Sequence, residues 1–264
     1  MNADDTLSSD IIRSKLTTSF VGRTMELFST IHSTNQYLKE IDVTDTNNGF
    51  TVIADEQTGG RGRRGRTFLS PGRQGIYLSI LLRLNKKQQD IRLLTICAAV
   101  AVSKAIEKTC DTRADIKWVN DIFCNGKKIC GILTEATISG ELQEINPVIV
   151  GIGINTGLVP VEISNIATSI QEVTGLKNIR NKLIAEVLNE FEHVILDYTE
   201  RNKKQDIINY YSSRLFIIGQ QVILPDIAFD HTVTVLGISD DGALIVKDAA
   251  GKIEHITTGE IILK

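Results

Sequence analysis

The apolar positions of this 264-residue chain change period along its length, and the changes mark its elements. Ser9 or Asp10 can cap one short helix carrying Ile11, Ile12 and Leu16, after which Met25-Glu26-Leu27-Phe28 reads as a strand. It ends at Ser33-Thr34-Asn35-Gln36, a capping-box pattern that opens a helix through Tyr37 and Leu38. Thr51–Ala54 and Ile76–Leu82 are strand-like; Ile76, Leu78, Ile80 and Leu82 alternate with Tyr77, Ser79 and Leu81. Asp90 can cap a helix whose Ile91, Leu94, Ala98, Val102 and Ala105 mark one face, with Ala98, Ala99 and Ala101 small enough for close packing on a sheet. Asp115–Val119 and Lys128–Thr134 read as a hairpin across Asn125-Gly126, a favoured type I′ pair. Pro147–Asn155 is apolar enough to be a central strand. A helical stripe over residues 178–199 runs through Leu183, Val187, Phe191 and Val194, and Asp206–Ser212 makes a last helix.

From Leu215 the texture changes to short strands: Gln221–Leu224, Thr232–Gly237, Ala243–Lys247 and Lys252–Thr257. Turns at Asp240-Asp241-Gly242 and Ala250-Gly251 fit a small β-barrel. The expected class is therefore α+β. A mixed β-sheet domain packed with helices covers residues 1–214, and a small barrel covers residues 215–264.

One stretch follows neither period. Gly59-Gly60-Arg61-Gly62-Arg63-Arg64-Gly65-Arg66 lies between two strands and leads to Ser70-Pro71-Gly72, and a loop this long is usually functional or disordered. Guanidinium groups offer forked donors to planar oxyanions, and the glycines let backbone approach a ligand. In isolation the run reads as a solvated basic loop or a nucleic-acid tail. The formal net charge of -3 shifts the balance: a local positive field on a mildly acidic body suits a small anion better than a long polyanion.

Other chemistry is limited by what the chain lacks. The acidic start has no apolar signal-peptide core, and no apolar run reaches membrane-spanning length. Cys97, Cys110, Cys124 and Cys130 form no Cys-x-x-Cys pair and the four histidines are scattered, so no metal site built from Cys or His ligands is indicated. A reducing, cytoplasmic setting is expected. No Gly-x-x-x-x-Gly-Lys-Ser/Thr loop exists; the third glycine of a dinucleotide motif after Gly151-x-Gly153 would fall on Thr156. Gly151 is better read as close packing in a central strand. Ser33 reads first as a helix cap, and second as a hydroxyl facing a polar ligand.

Five motifs change the reading when taken in register. Ser33-Thr34-Asn35, Gln57 with Gly60-Arg61-Gly62-Arg63-Arg64-Gly65, Lys117-Trp118-x-Asn120-Asp121, Lys128-x-x-Gly131-Ile132-Leu133 and Gly153-Ile154-Asn155 resemble the biotin–protein ligases in order and spacing. The resemblance runs from residue 25 through the terminal strands, and is to the monofunctional form, without an N-terminal helix-turn-helix or DNA binding. It implies a class II synthetase-like catalytic domain followed by an SH3-like barrel. It also implies a two-step reaction: biotin and ATP, with Mg²⁺, give biotinoyl-5′-AMP, and a lysine of a biotin carboxyl carrier protein then takes the biotinoyl group.

Carried over by residue, Ser33, Thr34, Asn35 and Gln57 would hold biotin, with Arg61, Gly62, Arg63 and Lys117 at its carboxylate. Arg61, Arg63, Arg66, Phe68, Asn120 and Asn155 would bind ATP or the adenylate, Asn155 reading adenine. Lys117 and Arg63 would be catalytic, because two repelling anions must meet there. Two positions depart from the family pattern: Val119 stands where proline is common, and Phe68 where some members carry tryptophan. Packing in the core is the first reading for Trp118. Within enzymes the alternative is a lipoate ligase or octanoyl transferase, which Ser33, Thr34 and Gln57 disfavour, since a plain acyl chain would leave them unmet. Outside enzymes it is a nucleic-acid-binding module, disfavoured by the overall acidity. Edge strands of the main sheet are free to serve a homodimer or to dock the carrier domain.

Overall fold

The computed structural model describes residues 5–41, 46–85, 90–136, 147–225 and 231–263. Its main sheet has seven strands: β1 (Met25–Ile31), β2 (Thr51–Gln57), β3 (Gly75–Arg83), β4 (Asp115–Lys117), β5 (Asp121–Cys124), β6 (Lys127–Ala136) and β7 (Pro147–Asn155). They lie in the order β1-β2-β3-β7-β6-β5-β4, with β1 and β2 parallel and every other neighbouring pair antiparallel. β7 is the middle strand, as its unbroken apolar run indicated.

Both faces of the sheet are covered, and the period-2 alternation sorts the side chains between them. Leu78, Ile80 and Leu82 of β3 face the large core shared with α3 (Ile91–Cys110) and α5 (Arg180–Thr199). Leu81, with Val52 and Ile149, faces the other way, into a smaller cluster with Leu38 of α2 (Thr34–Glu40). α2 therefore lies across β3 and β7 with its first turn over the middle of the sheet. Asp90 caps α3 by accepting from Arg92 N and Leu93 N.

Local differences from the sequence reading have local causes. α1 (Ser9–Arg13) is capped by Ser8, one residue before the expected caps. The Asn125-Gly126 turn, with φ of 50° and 75°, joins β5 to β6 and not the strand beginning at Asp115. Four-residue β5 is too short to show a period, and the polar Asn120-Asp121 pair masked its start. The Trp118–Val119 peptide before it is cis. A short helix, α4 (Ile170–Thr174), capped by Ser169, was not anticipated either.

After α6 (Lys204–Arg214) comes a second, antiparallel sheet of β8 (Gln221–Leu224), β9 (His231–Ile238), β10 (Leu244–Lys247), β11 (Ile253–Ile256) and β12 (Ile262–Leu263). The order is β11-β10-β9-β8-β12, and among the described residues no pairing joins β11 to β12. The expected small barrel is represented among the described residues by this five-stranded antiparallel sheet, without a closing pair and with a last strand of only two residues. It is fastened to the main body by Trp118 Nε1, which donates to Gly242 O at 3.0 Å, and by the Arg92–Asp241 ion pair at 3.2 Å.

Arg180, at the start of α5, is 1% exposed. It donates to both Asp5 and Asp55 and to Gly75 O, tying the N-terminal segment to β2 and to the root of β3. Removing a buried cation strands its partners, but Asp5 and Asp55 keep about a quarter of their exposure, which softens the effect. Arg180→Met is expected to lower unfolding stability by about 2 kcal/mol. Urea titration measures this, and an unchanged midpoint would show that the network adds nothing.

Candidate active site

A pocket of about 170 Å³ opens over the middle of the main sheet. Its floor is β6 and β7, through Gly131–Leu133 and Gly151–Gly153; the first turn of α2 closes one end. The arginine loop forms a wall, and Gly259–Ile261 of the C-terminal segment reach the rim. The two floor glycines of β7 have different neighbours. A Cβ on Gly151 would lie 2.2 Å from Asn35 Oδ1, and one on Gly153 2.5 Å from the Phe68 ring. Both positions stay bare so that a pocket side chain can lie flat on the strand.

The α2 end is polar and buried. Ser33, Thr34 and Asn35 are each at most 5% exposed, and Ser33 Oγ accepts from Gln36 N, so the capping role read from the sequence is in place. Gln57 Oε1 accepts from Thr34 N at 2.9 Å, while Gln57 Nε2 donates to Ser70 Oγ at 3.0 Å. Asn35 Nδ2 donates to Leu133 O and, at 2.8 Å, to Glu135 Oε2; Lys39 Nζ lies 2.6 Å from Glu135 Oε1. Burying so many polar groups is tolerable because each finds a partner.

The opposite end is cationic. The loop that had no sequence period folds on itself: Gly62 N donates to Arg66 O at 2.7 Å and Phe68 N to Gly60 O at 3.0 Å, around a 3₁₀ turn at Arg63–Gly65. Arg63 is half-buried and Nη1 donates to Asn120 Oδ1 at 3.1 Å. Desolvation, then the charge of Arg64, lowers its pKa, against the pull of Asp121 and Glu260. Arg66 pairs with Glu260, so a carboxylate from the C-terminal segment holds the cationic loop. Phe68 meets Tyr77 edge to face, with ring centroids 6.4 Å apart.

Two lysines complete this end. Lys117 has its pKa lowered, mainly by burial, with Asp121 and Glu260 opposing and Lys128 and Arg66 reinforcing. Lys128 Nζ lies 2.7 Å from Asp121 Oδ1, above Gly131 and beside Phe68, facing the centre of the pocket. Sequence reasoning quoted Lys128 within a motif without assigning it to the site; its three-residue spacing from Gly131 was the available signal. Gly259–Ile261 gave no signal at all.

All but one of the residues singled out beforehand line this pocket: Ser33, Thr34, Asn35, Gln57, Arg61, Gly62, Arg63, Arg66, Phe68, Lys117 and Asn120. Asn155 does not. It ends β7 outside the pocket wall, its amide donating to Thr168 O at 3.0 Å, because the chain after it folds back onto α4. Trp118 both lines the pocket and is 4% exposed, so packing and lining coincide. Among the described residues no group of three or more His, Cys, Asp or Glu side chains could hold a metal ion. Among the same residues no helix is long and apolar enough to cross a membrane.

A mixed sheet bearing a pocket with a hydrogen-bonding end and a cationic end, rimmed by a small antiparallel sheet, suits proteins that hold a polar head group and an acid together, and the comparisons with known proteins say which class this is. The family described as biotin/lipoate A/B protein ligase matches residues 27–155, and the biotin protein ligase C-terminal domain matches residues 217–264. The bifunctional ligase/repressor BirA of Bacillus subtilis is 34% identical over 97% of this chain and 79% of its own. A biotin–[acetyl-CoA-carboxylase] ligase of Mycobacterium tuberculosis is 28% identical over 81% of this chain and 79% of its own. The solved biotin protein ligase of Aquifex aeolicus, in complex with biotin and ATP, superposes with a TM-score of 0.79 at 30% identity, covering 92% of this chain and 99% of that one. The chain belongs to the biotin/lipoate A/B protein ligase family, in its biotin protein ligase branch.

Proposed function

We propose that this chain is an ATP-dependent biotin–protein ligase, forming an amide bond between biotin and a lysine of a biotin carboxyl carrier protein domain. The observation that carries the reading is the opposed character of the pocket: buried hydrogen-bonding groups at one end, six cationic side chains at the other. A carboxylate oxygen of biotin attacks the α-phosphorus of ATP, a mixed anhydride forms and pyrophosphate leaves. The carrier amine then attacks the acyl carbon and AMP departs.

Ser33, Thr34 and Gln57 hold the ureido ring, and Asn35 braces them. Arg61, Gly62 and Arg63 close over the carboxylate and α-phosphate. Lys117 and Lys128 neutralise the charge that grows on phosphate as the anions meet. Arg66, Phe68 and Asn120 face the nucleotide. Mg²⁺ is expected only as part of that substrate, on its phosphates, since Asp121 and Glu260, the pocket's carboxylates, each already pair with a cation. In this reading residues 1–214 form the catalytic domain and residues 215–264 a small C-terminal domain.

The test is incubation with biotin, ATP and Mg²⁺, followed by transfer to a biotin-acceptor domain. Loss of labelling when lipoate competes at equal concentration would favour the lipoate reading instead. Nucleic-acid binding is the weaker alternative, because Arg63 and Arg66 are engaged within the fold.

A further inference from the structure

The polar end of the pocket is one proton short, and we infer that this shortage, set by Ser79 and Glu135, selects a ligand N–H. The inference rests on the biotin reading above. Ser79 is fully buried on β3 and does not itself line the pocket. Its Oγ lies 2.5 Å from Asn35 Oδ1 and 2.6 Å from Thr34 Oγ1, and Thr34 Oγ1 is 3.1 Å from Gln57 Oε1.

Those are three oxygen–oxygen contacts, and the hydroxyls of Ser79 and Thr34 supply two protons. The carbonyl oxygens of Asn35 and Gln57 have none to give. The orientation of Asn35 is fixed independently: a carboxylate accepts only, so Nδ2 must face Glu135 and Oδ1 must face Ser79. Contacts of 2.5 and 2.6 Å between bare oxygens are untenable, whereas 3.1 Å is tolerable. Ser79 therefore donates to Asn35, and Thr34 donates to Ser79. Thr34 Oγ1 and Gln57 Oε1 are left facing each other across the pocket end as acceptors. A ureido N–H placed between them meets both. A plain acyl chain or a dithiolane ring cannot, which gives the pocket a reason to reject them.

Two substitutions with unrelated chemistry should have the same effect. Ser79→Ala removes an oxygen, so the Thr34 proton turns to Gln57 and closes the gap. In Glu135→Gln, Lys39 retains the amide oxygen at the Oε1 position, which puts an NH₂ group where Oε2 faced Asn35. The Asn35 amide then regains partners by flipping, which gives up its bond to Leu133 O but lets Nδ2 donate to Ser79, and the released protons pass along to the Thr34–Gln57 contact. Glu135 is partly exposed, so this variant is the safer one for folding.

The experiment is calorimetric biotin binding without nucleotide, with desthiobiotin as a second ureido ligand, alongside KM for ATP and kcat at saturating biotin. Both variants should bind biotin and desthiobiotin about tenfold more weakly, the scale of one well-placed hydrogen bond, with the ATP parameters within about twofold of wild type. Wild-type biotin affinity in either variant, or parallel losses for biotin and ATP, overturns the inference. Failure of the unmodified protein to make a biotinoyl adenylate would instead overturn the parent reading.

Discussion

Lys128→Ala is expected to slow adenylate formation by about 3 kcal/mol in barrier, the loss associated with one preorganised charge-stabilising donor. Two effects add in this variant. The ammonium beside Phe68 and Gly131 is gone, and Asp121, which it holds at 2.7 Å, loses its paired cation and keeps only the charges of Lys117 and Arg63 nearby as two anions come in. Lys117→Ala loses a cation without exposing a carboxylate bound to it, so at least ~2 kcal/mol is expected there. Single-turnover release of pyrophosphate separates the two. Adding Asp121→Asn to Lys128→Ala should recover part of the rate. If Lys117→Ala forms adenylate at wild-type speed, Lys117 has no part in the chemistry; if the Asp121 change recovers nothing, the unmasked-charge argument fails.

Arg63→Gly should change retention more than binding. The Arg63 guanidinium sits at the cationic end beside Asn120, where the adenylate presents a phosphate and free biotin does not. Release of labelled adenylate is expected to quicken on the order of a hundredfold, from one or two lost charge-assisted hydrogen bonds, while biotin affinity changes by no more than about threefold. The released anhydride then meets water, so the variant should hydrolyse ATP in the absence of carrier. Equal losses for adenylate and free biotin would remove Arg63 from the phosphate side.

Much of the fold was legible because its signals are local. The alternation from Ile76 to Leu82 and the stripe of α5 record which face each side chain turns to the core. The β5–β6 turn showed in Asn125-Gly126, but β5 itself, at four residues, carries too little pattern to be seen. Residues of the site stood out where several motifs shared an order. What stayed hidden depends on distant partners. A buried Arg180 looks like any surface arginine until Asp5 and Asp55 arrive beside it. The resemblance makes Asn155 a contact to adenine, and the fold adds what spacing could not show, that its amide donates to Thr168 O at the end of β7. Lys128 and Lys117 cannot be ranked by spacing; the ion pair with Asp121 distinguishes them.

Glu260 reaches from the C-terminal segment to Arg66, and Trp118 reaches back to Gly242. A chimaera that joined residues up to α6 to the terminal segment of some other ligase would inherit a rim cut for a different mouth. Such a hybrid could still seat the vitamin, whose contacts lie elsewhere, yet leak its activated form. The Arg66–Glu260 pair is the part of the seam that depends on side chains at both ends, so a graft would have to carry both partners, whereas the Trp118 contact needs only the backbone oxygen at Gly242.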